Sequence, residues 1–560
     1  MNAIILLVIG IAVLVIGYIT YGAWLAKQWG VDPSRETPSH TLEDGVDYVP
    51  SKAPVLFGHH FSSIAGAGPI NGPIQAAVFG WVPVFLWILI GGIFFGAVHD
   101  FGALFASIRH KGHSIGEVIQ QNIGDRAKKL FIIFSYLTLI LVVAAFTSIV
   151  AGTFVASKAD PTSVANARTA TISIWFIVLA IIFGSCVYRK NAPLGISSVI
   201  GVLGIIAIIA LGYKYPIFYL SQEAWMVILG VYILVASVTP VWILLQPRDY
   251  LSSFLLYAMM IAAIIGVFGS HPTLDMPAFT GFESSIGYLF PALFITIACG
   301  AISGFHSLVG SGTTAKQISS EKDARPIGYG GMLVECALAI IALIAVGYVW
   351  SEYSGGQITN PTQVFATGIS RMLAAMGLEQ VEGFAYSLVI LSVSTFALTS
   401  LDTATRLARF MFQEFWLKSD ETPESVTGYK KVLCNPYVST LITVVLGVGL
   451  GLGGYSKIWA LFGAANQLLA ALALLAVAAW LGNCGKNNKM LYFPMIFMLL
   501  ATLTSLVLTF ISKVKAIAGG AGDMAAWLQA IFSIILFALA LVLVVEGVQA
   551  LAKKKKVENN

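Results

Sequence analysis

Histidines, carboxylates and hydroxyl groups interrupt segments of this chain that are otherwise apolar. The ionisable members of this set are His59, His60, His99, Asp100, His306, Glu335 and Asp402. A charged group inside a bilayer is costly, so an ionisable residue within a membrane segment usually binds or carries something. Imidazoles are common metal ligands, and carboxylates carry protons or bind hard cations. The chemistry open to these residues is therefore cation binding, proton transfer and hydrogen bonding to a polar solute.

The candidate metal ligands are His59, His60 and His99, with His306 as a further imidazole. Adjacent side chains such as those of His59 and His60 point apart on a helix, so at most one of the two would ligate with the others. The alternative is that these histidines are hydrogen-bonded within a helix gap. The five cysteines show no C-x-x-C spacing, which gives no support to thiolate or disulfide chemistry. We expect no cofactor other than a coupling ion, Na⁺ or H⁺.

The candidate ion-coupling carboxylates are Asp100, Glu335 and Asp402. Asp100 and Asp402 lie toward the ends of apolar runs, with Arg109 and Arg406 close along the chain. A structural ion pair is therefore the alternative to an ion-coupling role for each of these two residues.

Two pairs of distant segments share a pattern of small and hydroxyl residues. Residues 61–68 (FSSIAGAG) and 305–312 (FHSLVGSG) form the first pair, and 145–149 (AFTSI) and 397–401 (ALTSL) form the second. The members of each pair are seven spans apart in the predicted order, the second with the ninth and the fourth with the eleventh, so they cross the membrane in opposite directions. This arrangement is typical of an inverted-topology repeat with the substrate between its halves. The alternative is that small residues recur because membrane helices pack closely through them.

The glycines of the first pair predict interrupted helices. Gly-x-Gly followed by Pro69 and by Gly72-Pro73 is a poor helix, because proline lacks a donor and glycine is entropically costly. We predict unwound segments at 66–68 and 310–312, adjacent at mid-membrane, where exposed helix N-termini favour a carboxylate. The predicted substrate-binding residues are Ser62, Ser63, Gly66, Ala67, Gly68, Asn71, Gln75, His306, Ser307, Gly310, Ser311 and Gly312.

The elements that must position these residues are membrane helices. The chain has 560 residues, of which 58% are hydrophobic and only 11% charged, against about 25% charged in a typical soluble domain. Apolar runs predict an all-α polytopic protein of about 15 spans, with no soluble domain. The predicted spans are 4–26, 60–79, 82–108, 130–157, 169–188, 193–213, 222–245, 250–269, 288–312, 327–350, 384–412, 436–454, 457–481, 490–512 and 526–551. This composition excludes a soluble enzyme and a nucleic-acid-binding protein.

The loops between these spans predict the orientation of the chain. When alternate loops are assigned to one side, most of the 32 Lys and Arg residues fall together, including Arg248, Arg406, Arg409 and the basic tail at 553–556. By the positive-inside rule the N-terminus faces outward and the C-terminus lies in the cytoplasm. The first apolar run has no basic residue before it and no small-x-small cleavage site after it, so it is interpreted as a retained span and not a signal peptide.

Three motifs resemble the carbon starvation protein A family, a group of peptide and pyruvate permeases. They are GHHFSSIAGAGPI at 58–70, VHDF at 98–101 and STFALTSLDT at 394–403, and the resemblance runs over essentially the whole chain. It implies membership of the amino acid-polyamine-organocation superfamily, with a LeuT-like core of two inverted five-helix repeats. On that mapping, Thr399 and Ser400 would supply hydroxyls to a sodium ion facing carbonyls of the broken first core helix. Back-bonding of these hydroxyls within their own helix is the alternative.

The resemblance also implies a division of the single transporter domain, 1–560. Residues 1–56 would form an extra N-terminal helix and a cytoplasmic loop, and 57–213 the first repeat. Residues 214–286 would be added helices, 287–482 the second repeat, and 483–560 the C-terminal helices and basic tail.

The predicted function is secondary active import of a small carboxylate or short peptide across the bacterial inner membrane, in carbon starvation. Its partners would be the small-molecule substrate and the lipid bilayer, with no nucleic acid. The chain has no G-x-x-x-x-G-K-[ST] motif for an ATP motor, so a proton or sodium gradient would drive uptake. The alternatives are a membrane-embedded metal-dependent enzyme, and a receptor or channel that retains the transporter core. No catalytic residue is predicted.

Overall fold

A computed structural model describes residues 2–45, 47–160, 163–190, 192–417, 421–423 and 425–552. The basic tail predicted at 553–556 lies outside the described residues. Backbone groups inside a bilayer must be satisfied within the protein, and long helices meet that requirement. The first part of the chain is accordingly helical: α1 (Ala3–Gly17), α2 (Ala23–Trp29), α3 (Pro38–Thr41), α4 (Ala53–Ile64), α5 (Gly68–Ala76), α6 (Trp81–Gly91), α7 (Ala97–Arg109), α8 (Ile115–Asn122), α9 (Asp125–Phe154), α10 (Val164–Gly184), α11 (Leu194–Lys214), α12 (Gln222–Val238) and α13 (Leu245–Ser270).

A two-stranded antiparallel hairpin, β1 (Glu283–Ser284) and β2 (Gly287–Tyr288), precedes the second part of the chain. That part is again helical: α14 (Leu289–Ile297), α15 (Gly304–Gly312), α16 (Gly331–Tyr348), α17 (Trp350–Ser354), α18 (Pro361–Ala374), α19 (Glu382–Trp416), α20 (Tyr429–Leu433), α21 (Pro436–Gly451), α22 (Tyr455–Asn483), α23 (Tyr492–Ala518) and α24 (Met524–Ala552). Short π-helical segments at Tyr18–Gly22 and Gly92–Gly96 join α1 to α2 and α6 to α7.

The described residues contain twelve helical segments that are long and apolar enough to cross a membrane, which confirms a multi-pass helical protein. Two further apolar helices, α12 and α21, are shorter. The remaining predicted span corresponds to the interrupted pair α4 and α5. The predicted count of about 15 spans stays a prediction, because three of these segments lack the length of a continuous crossing helix.

The helices differ in how deeply they are buried. In the segment containing α22, 94% of the most apolar stretch is buried inside the protein, against 17% in α11. Exposed side chains on α11 include Ile196, Val199 and Leu203. An apolar face of this kind is stable where lipid covers it. The centre of the bundle is therefore formed around α22, α9, α16 and α19, and α11 lies at its edge.

The first predicted break is confirmed. Helix α4 ends at Ile64 and α5 begins at Gly68, with Pro69 in the first turn of α5, where its missing N–H is not needed. A Cβ on Gly66 would lie 2.8 Å from the Phe146 ring, so the turn requires glycine at this close approach.

The prediction of a second break at 310–312 is wrong, because these residues end the regular helix α15. The interruption lies earlier, between α14 and α15, where a 3₁₀ turn at Ala298–Gly300 is followed by non-helical residues up to Ser303. Gly310 and Gly312 instead allow helices to approach, since Cβ atoms there would meet Leu104 and Leu407. The two observed breaks are adjacent: a Cβ on Gly68 would lie 2.5 Å from Cys299 Sγ.

Candidate functional site

A cavity of about 860 Å³ lies beside the first broken helix, and we call it the vestibule. Its wall is largely amide and hydroxyl in character. The polar lining includes Asn71, Ser148, Thr153, Asn166, Gln222, Asn360, Thr362 and Gln363, together with Lys158 and Asp160. Asn71 comes from the first turn of α5, and its Oδ1 accepts a hydrogen bond from Thr362 Oγ1 at 3.4 Å. The vestibule therefore extends from the loop after α9 to the first turn of α5, which follows the break.

Most of the predicted substrate-binding residues do not line the vestibule. Among those twelve residues, all of which the structure describes, Asn71 is the one in its wall. The hydroxyls instead bond to backbone oxygens: Ser62 Oγ donates to Asp249 O at 3.2 Å, and Ser307 Oγ donates to Gly304 O at 2.7 Å. Ser311 Oγ likewise donates to Ser307 O at 2.7 Å. In this conformation these serines brace the helices around the breaks.

The remaining predicted residues of this group fall into two sets. Ala67 and Gly68 are buried at the first break, against the second break. Gln75 is half-buried near the end of α5, outside the vestibule wall. Gly68 brings the two interruptions into contact, but these residues do not by themselves form a ligand pocket.

Helix α19 packs its hydroxyl groups against the first break. Ser400 Oγ donates to the carbonyl oxygen of Ser63 at 3.0 Å, and Thr403 Oγ1 lies 3.5 Å from Ser63 Oγ. Thr399 Oγ1 donates to Thr395 O at 3.2 Å, within its own helix. Ser400 thus faces a carbonyl of the broken helix, as predicted for an ion-binding hydroxyl, whereas Thr399 makes the intrahelical bond that was the alternative.

A buried group that we call the arginine network joins four helices. Its members are His59, Tyr232, Arg248, Asp249 and Asp402. Arg248 Nη1 contacts Asp402 Oδ2 and donates to Tyr232 Oη at 2.6 Å, and Arg248 Nη2 donates to Asp249 Oδ1 at 2.7 Å. His59 Nδ1 lies 3.0 Å from Asp249 Oδ2, and Tyr232 Oη donates to Asp402 Oδ2 at 2.7 Å. Arg248 therefore bridges two carboxylates, and one of them, Asp249, also contacts an imidazole.

A second buried group, the His306 cluster, lies at the other break. Its members are His99, Asp100, Cys299, His306 and Glu335. Asp100 Oδ1 lies 2.7 Å from His99 Nδ1, and Asp100 Oδ2 lies 2.8 Å from His306 Nδ1. His306 Nε2 lies 3.4 Å from Glu335 Oε2. Ligand-type atoms of Cys299, His306 and Glu335 all lie within 4.8 Å of one another.

The predicted metal set is not brought to one point. His59 contacts Asp249, His99 contacts Asp100, and His60 Nδ1 lies 2.8 Å from Thr314 Oγ1. These contacts agree with the alternative, in which the histidines are hydrogen-bonded near helix gaps.

The two arginines that lie close along the chain to Asp100 and Asp402, considered as ion-pair partners in the alternative, pair with other groups. Arg109 pairs with Glu321, with Nε donating to Oε1 at 2.6 Å and Nη2 to Oε2 at 2.8 Å. Arg406 Nη2 donates to the carbonyl oxygen of Ala236 at 2.9 Å. Asp402 is in an ion pair, but its partner is Arg248.

Sequence reasoning missed several members of both groups. Arg248 was counted as a loop charge, yet it lies in α13 and is fully buried, and Arg406 and Arg409 are also buried in a helix. From the sequence alone, a charged residue at the edge of an apolar run is compatible with a loop or with the end of a buried helix. Asn466 is a further residue of this region: its Oδ1 accepts from Phe305 N at 2.8 Å and its Nδ2 donates to Ser303 Oγ at 3.0 Å, which caps the start of α15.

Comparison with known proteins gives consistent matches. The sequence profile of the family described as carbon starvation protein CstA matches residues 2–355 and 350–505. The peptide transporter CstA of Bacillus subtilis is 34% identical over 530 residues, covering 85% of this chain and 84% of that protein. The peptide transporter CstA of Escherichia coli is 35% identical over 582 residues, covering 90% of this chain and 80% of that protein.

A relative with a different name matches over a similar length. The pyruvate/proton symporter BtsT of Escherichia coli is 33% identical over 560 residues, covering 84% of this chain and 76% of that protein. Among solved structures, a manganese transporter from Eremococcus coleocola aligns at 11% identity with a TM-score of 0.48, over 92% of this chain and 99% of that one.

Proposed function

This chain belongs to the carbon starvation protein CstA family of membrane transporters, and on that premise we propose that it is a secondary active importer of a small carboxylate or short peptide. The observation that carries the proposal is the vestibule, which reaches Asn71 in the first turn of α5, the helix that follows the first break. Interrupted helices within a membrane are tolerated where they line a cavity or bind something. Use of such an importer in carbon starvation follows the description of the family.

The proposed architecture is a LeuT-like core formed by inverted repeats at 57–213 and 287–482, within about 15 spans. Contact between the two breaks supports it, because the first and sixth core helices of such a repeat meet at the substrate site. We place the protein in the bacterial inner membrane with the N-terminus outside and the C-terminus in the cytoplasm. On that orientation the vestibule opens outward, since its wall includes the loops around Lys158 and Asn360. An outward-facing vestibule is the loading state of an importer.

The substrate class rests on the chemistry of the vestibule. Its volume of about 860 Å³ falls within the roughly 300–1,000 Å³ of small-molecule sites, which is large enough for a di- or tripeptide. Amide side chains both donate to a carboxylate and accept from an amine. Asn71 places the first turn of α5 at the wall, and a helix N-terminus favours an anionic group. The names of the relatives, peptide transporter and pyruvate/proton symporter, cover the same two substrate classes.

We assign the coupling ion as a proton held in the arginine network. With both carboxylates ionised, Arg248 charged and His59 neutral, the network carries one net negative charge, and one added proton makes it neutral. His59, Arg248, Asp249 and Asp402 are each at most 2% exposed, so this single charge matters for the stability of the conformation. Ser62 links the network to the broken helix α4 through Asp249 O. Protonation would therefore be transmitted to the break.

Uptake by the purified protein in proteoliposomes tests this proposal. Labelled pyruvate and a labelled dipeptide are offered with an inward proton gradient, an inward sodium gradient, or neither. With the proton gradient, we expect the labelled substrate to accumulate above its external concentration. Unlabelled free acid should compete with its uptake more strongly than the corresponding amide or ester. Equilibration without accumulation would indicate a channel, and equal competition by the amide would refute the anion-binding part of the proposal.

A further inference from the structure

The second break carries an arrangement that transport of a carboxylate or peptide does not require. A thiol, an imidazole and a carboxylate converge there from separate elements: Cys299 from the 3₁₀ turn, His306 from α15 and Glu335 from α16. Their ligand-type atoms lie within 4.8 Å of one another, and His306 Nε2 is 3.4 Å from Glu335 Oε2. All three side chains are at most 4% exposed.

Several of these atoms lack a partner among the described residues. Both carboxylate oxygens of Glu335 and Nε2 of His306 are buried without a hydrogen bond. Buried polar atoms in proteins usually have a partner, so an imidazole nitrogen and a carboxylate oxygen that approach to 3.4 Å without a hydrogen bond indicate a shared ligand. When Nδ1 of His306 donates to Asp100, Nε2 carries a lone pair, and a cation binds both that lone pair and the Glu335 carboxylate.

The groups around the three side chains are those that support metal ligands. His306 directs its other ring nitrogen, Nδ1, to Asp100 Oδ2 at 2.8 Å, which fixes the ring and leaves Nε2 pointing inward. This carboxylate–histidine arrangement is the usual support for a metal-bound imidazole. On the other side, Asn466 Nδ2 lies 3.7 Å from Cys299 Sγ, and Ser303 Oγ lies 3.5 Å from it.

We propose that Cys299, His306 and Glu335 bind a divalent transition-metal ion of the zinc type. A thiolate, an imidazole and a carboxylate are ligands that zinc accepts together, and three protein ligands leave the fourth tetrahedral position for water. The thiol proton is released when the metal binds. The thiolate and the carboxylate then offset the two charges of the ion, and Asp100 stays paired with His99 and His306.

The spacing agrees with this assignment after small side-chain rotations. Bond lengths of about 2.0–2.3 Å to zinc place tetrahedral ligand atoms roughly 3.3–3.8 Å apart. The imidazole and the carboxylate already lie at 3.4 Å. The thiol lies within 4.8 Å of both, so it needs to approach by at most about 1 Å. A bound ion would join the break, α15 and α16, and so would fix the surface against which Gly68 packs.

The inference is independent of the cargo, and metal binding by the full-length protein in detergent tests it. The chain is loaded with Zn²⁺ or with Co²⁺, passed through a desalting column, and analysed for bound metal and for the thiolate-to-cobalt charge-transfer band in the near-ultraviolet. We expect one tightly held ion per chain and a charge-transfer band. Cys299→Ser should abolish the band, and Glu335→Gln should weaken retention at least tenfold.

The matched control is Cys434→Ser, because Cys434 is equally buried but lies away from the cluster. It should retain the band and the stoichiometry. Absence of stoichiometric metal in the wild type, or a band that survives Cys299→Ser, would overturn the assignment. X-ray absorption of the zinc-loaded wild type needs no variant: one sulfur in the coordination shell supports the site, and a shell of nitrogen and oxygen alone refutes it.

Discussion

Arg248 and Asp402 form one buried ion pair, yet replacing Arg248 should destabilise the protein much more than replacing Asp402. Arg248→Gln leaves the carboxylates of Asp249 and Asp402 together in the interior, at 0% and 1% exposure, with no guanidinium. Breaking a buried pair in this way costs about 3–5 kcal/mol of the free energy of unfolding.

Asp402→Asn has a different result because the charge balance survives. Arg248 keeps its hydrogen bond to Asp249 at 2.7 Å, and the new amide oxygen still accepts from Arg248 and Tyr232. The network then holds one cation and one anion, and the change weakens hydrogen bonds without leaving an uncompensated charge. We expect a loss of about 1 kcal/mol.

The double variant Arg248→Gln with Asp402→Asn provides the internal test. Removing both partners leaves Asp249 with His59 at 3.0 Å and no second carboxylate beside it. Its free energy of unfolding should therefore lie above that of Arg248→Gln alone, which is the coupling expected of residues in one network. The matched control is Arg126→Gln, because Arg126 is 78% exposed and its pair with Glu546 lies at the surface.

Thermal unfolding in detergent, followed by tryptophan fluorescence and by the monodisperse fraction, measures this order. The expected order of apparent melting temperature is wild type and Arg126→Gln, then Asp402→Asn, then the double variant, and finally Arg248→Gln. If Arg248→Gln is as stable as Asp402→Asn, or if the double variant is no better than Arg248→Gln, the charge argument for this network is wrong.

Three further changes test other parts of the structure. Gly66→Ala places a Cβ 2.8 Å from Ser400 Oγ, so uptake should fall sharply and the free energy of unfolding should drop by about 1–3 kcal/mol. Gly195→Ala is the control: its Cβ meets nothing within 4 Å, and uptake should be unchanged in the same assay. Asn71→Ala removes an amide from the vestibule wall and the acceptor of Thr362 Oγ1, so the KM for uptake should rise about tenfold, with a loss of stability of only about 1 kcal/mol. Glu321→Gln removes the charge from a fully buried carboxylate that accepts two hydrogen bonds from Arg109. The free energy of unfolding should fall by about 3 kcal/mol, and an unchanged melting temperature would contradict that role.

The helical fold was predictable because a bilayer leaves few solutions. Apolar runs of sufficient length must become helices, and the structure has helices at those positions. The first break was also predictable, since glycines at 66 and 68 and the proline at 69 act locally. Local signals of this kind are read directly from the chain.

The second break was misplaced because it depends on a distant residue. Residues 298–303 (ACGAIS) contain no proline, and the start of α15 is capped by Asn466, 161 positions from the Phe305 N–H that it accepts. Glycines at 310 and 312 gave the same sequence pattern for another reason, close helix packing. A repeated motif therefore indicated related helices but not the same backbone conformation.

The candidate site shows the same division between local and long-range information. Intramembrane carboxylates and histidines could be singled out one by one, because a charge in that environment needs a reason. Their partners could not be assigned, since Arg248 and Asp402 are 154 positions apart and Asp100 and His306 are 206 apart. Cys299 gave no signal at all, because its neighbours in space come from other helices.

Proton movement that accompanies substrate uptake tests the central claim most directly. Proteoliposomes containing the protein and a trapped pH-sensitive dye are equilibrated without any gradient, and pyruvate or a dipeptide is then added outside. Proton-coupled import predicts immediate acidification of the lumen that scales with the uptake of the accepted substrate and is reduced in Asp402→Asn. Uptake at the same rate with no change of luminal pH, or acidification equal in protein-free liposomes, would contradict it.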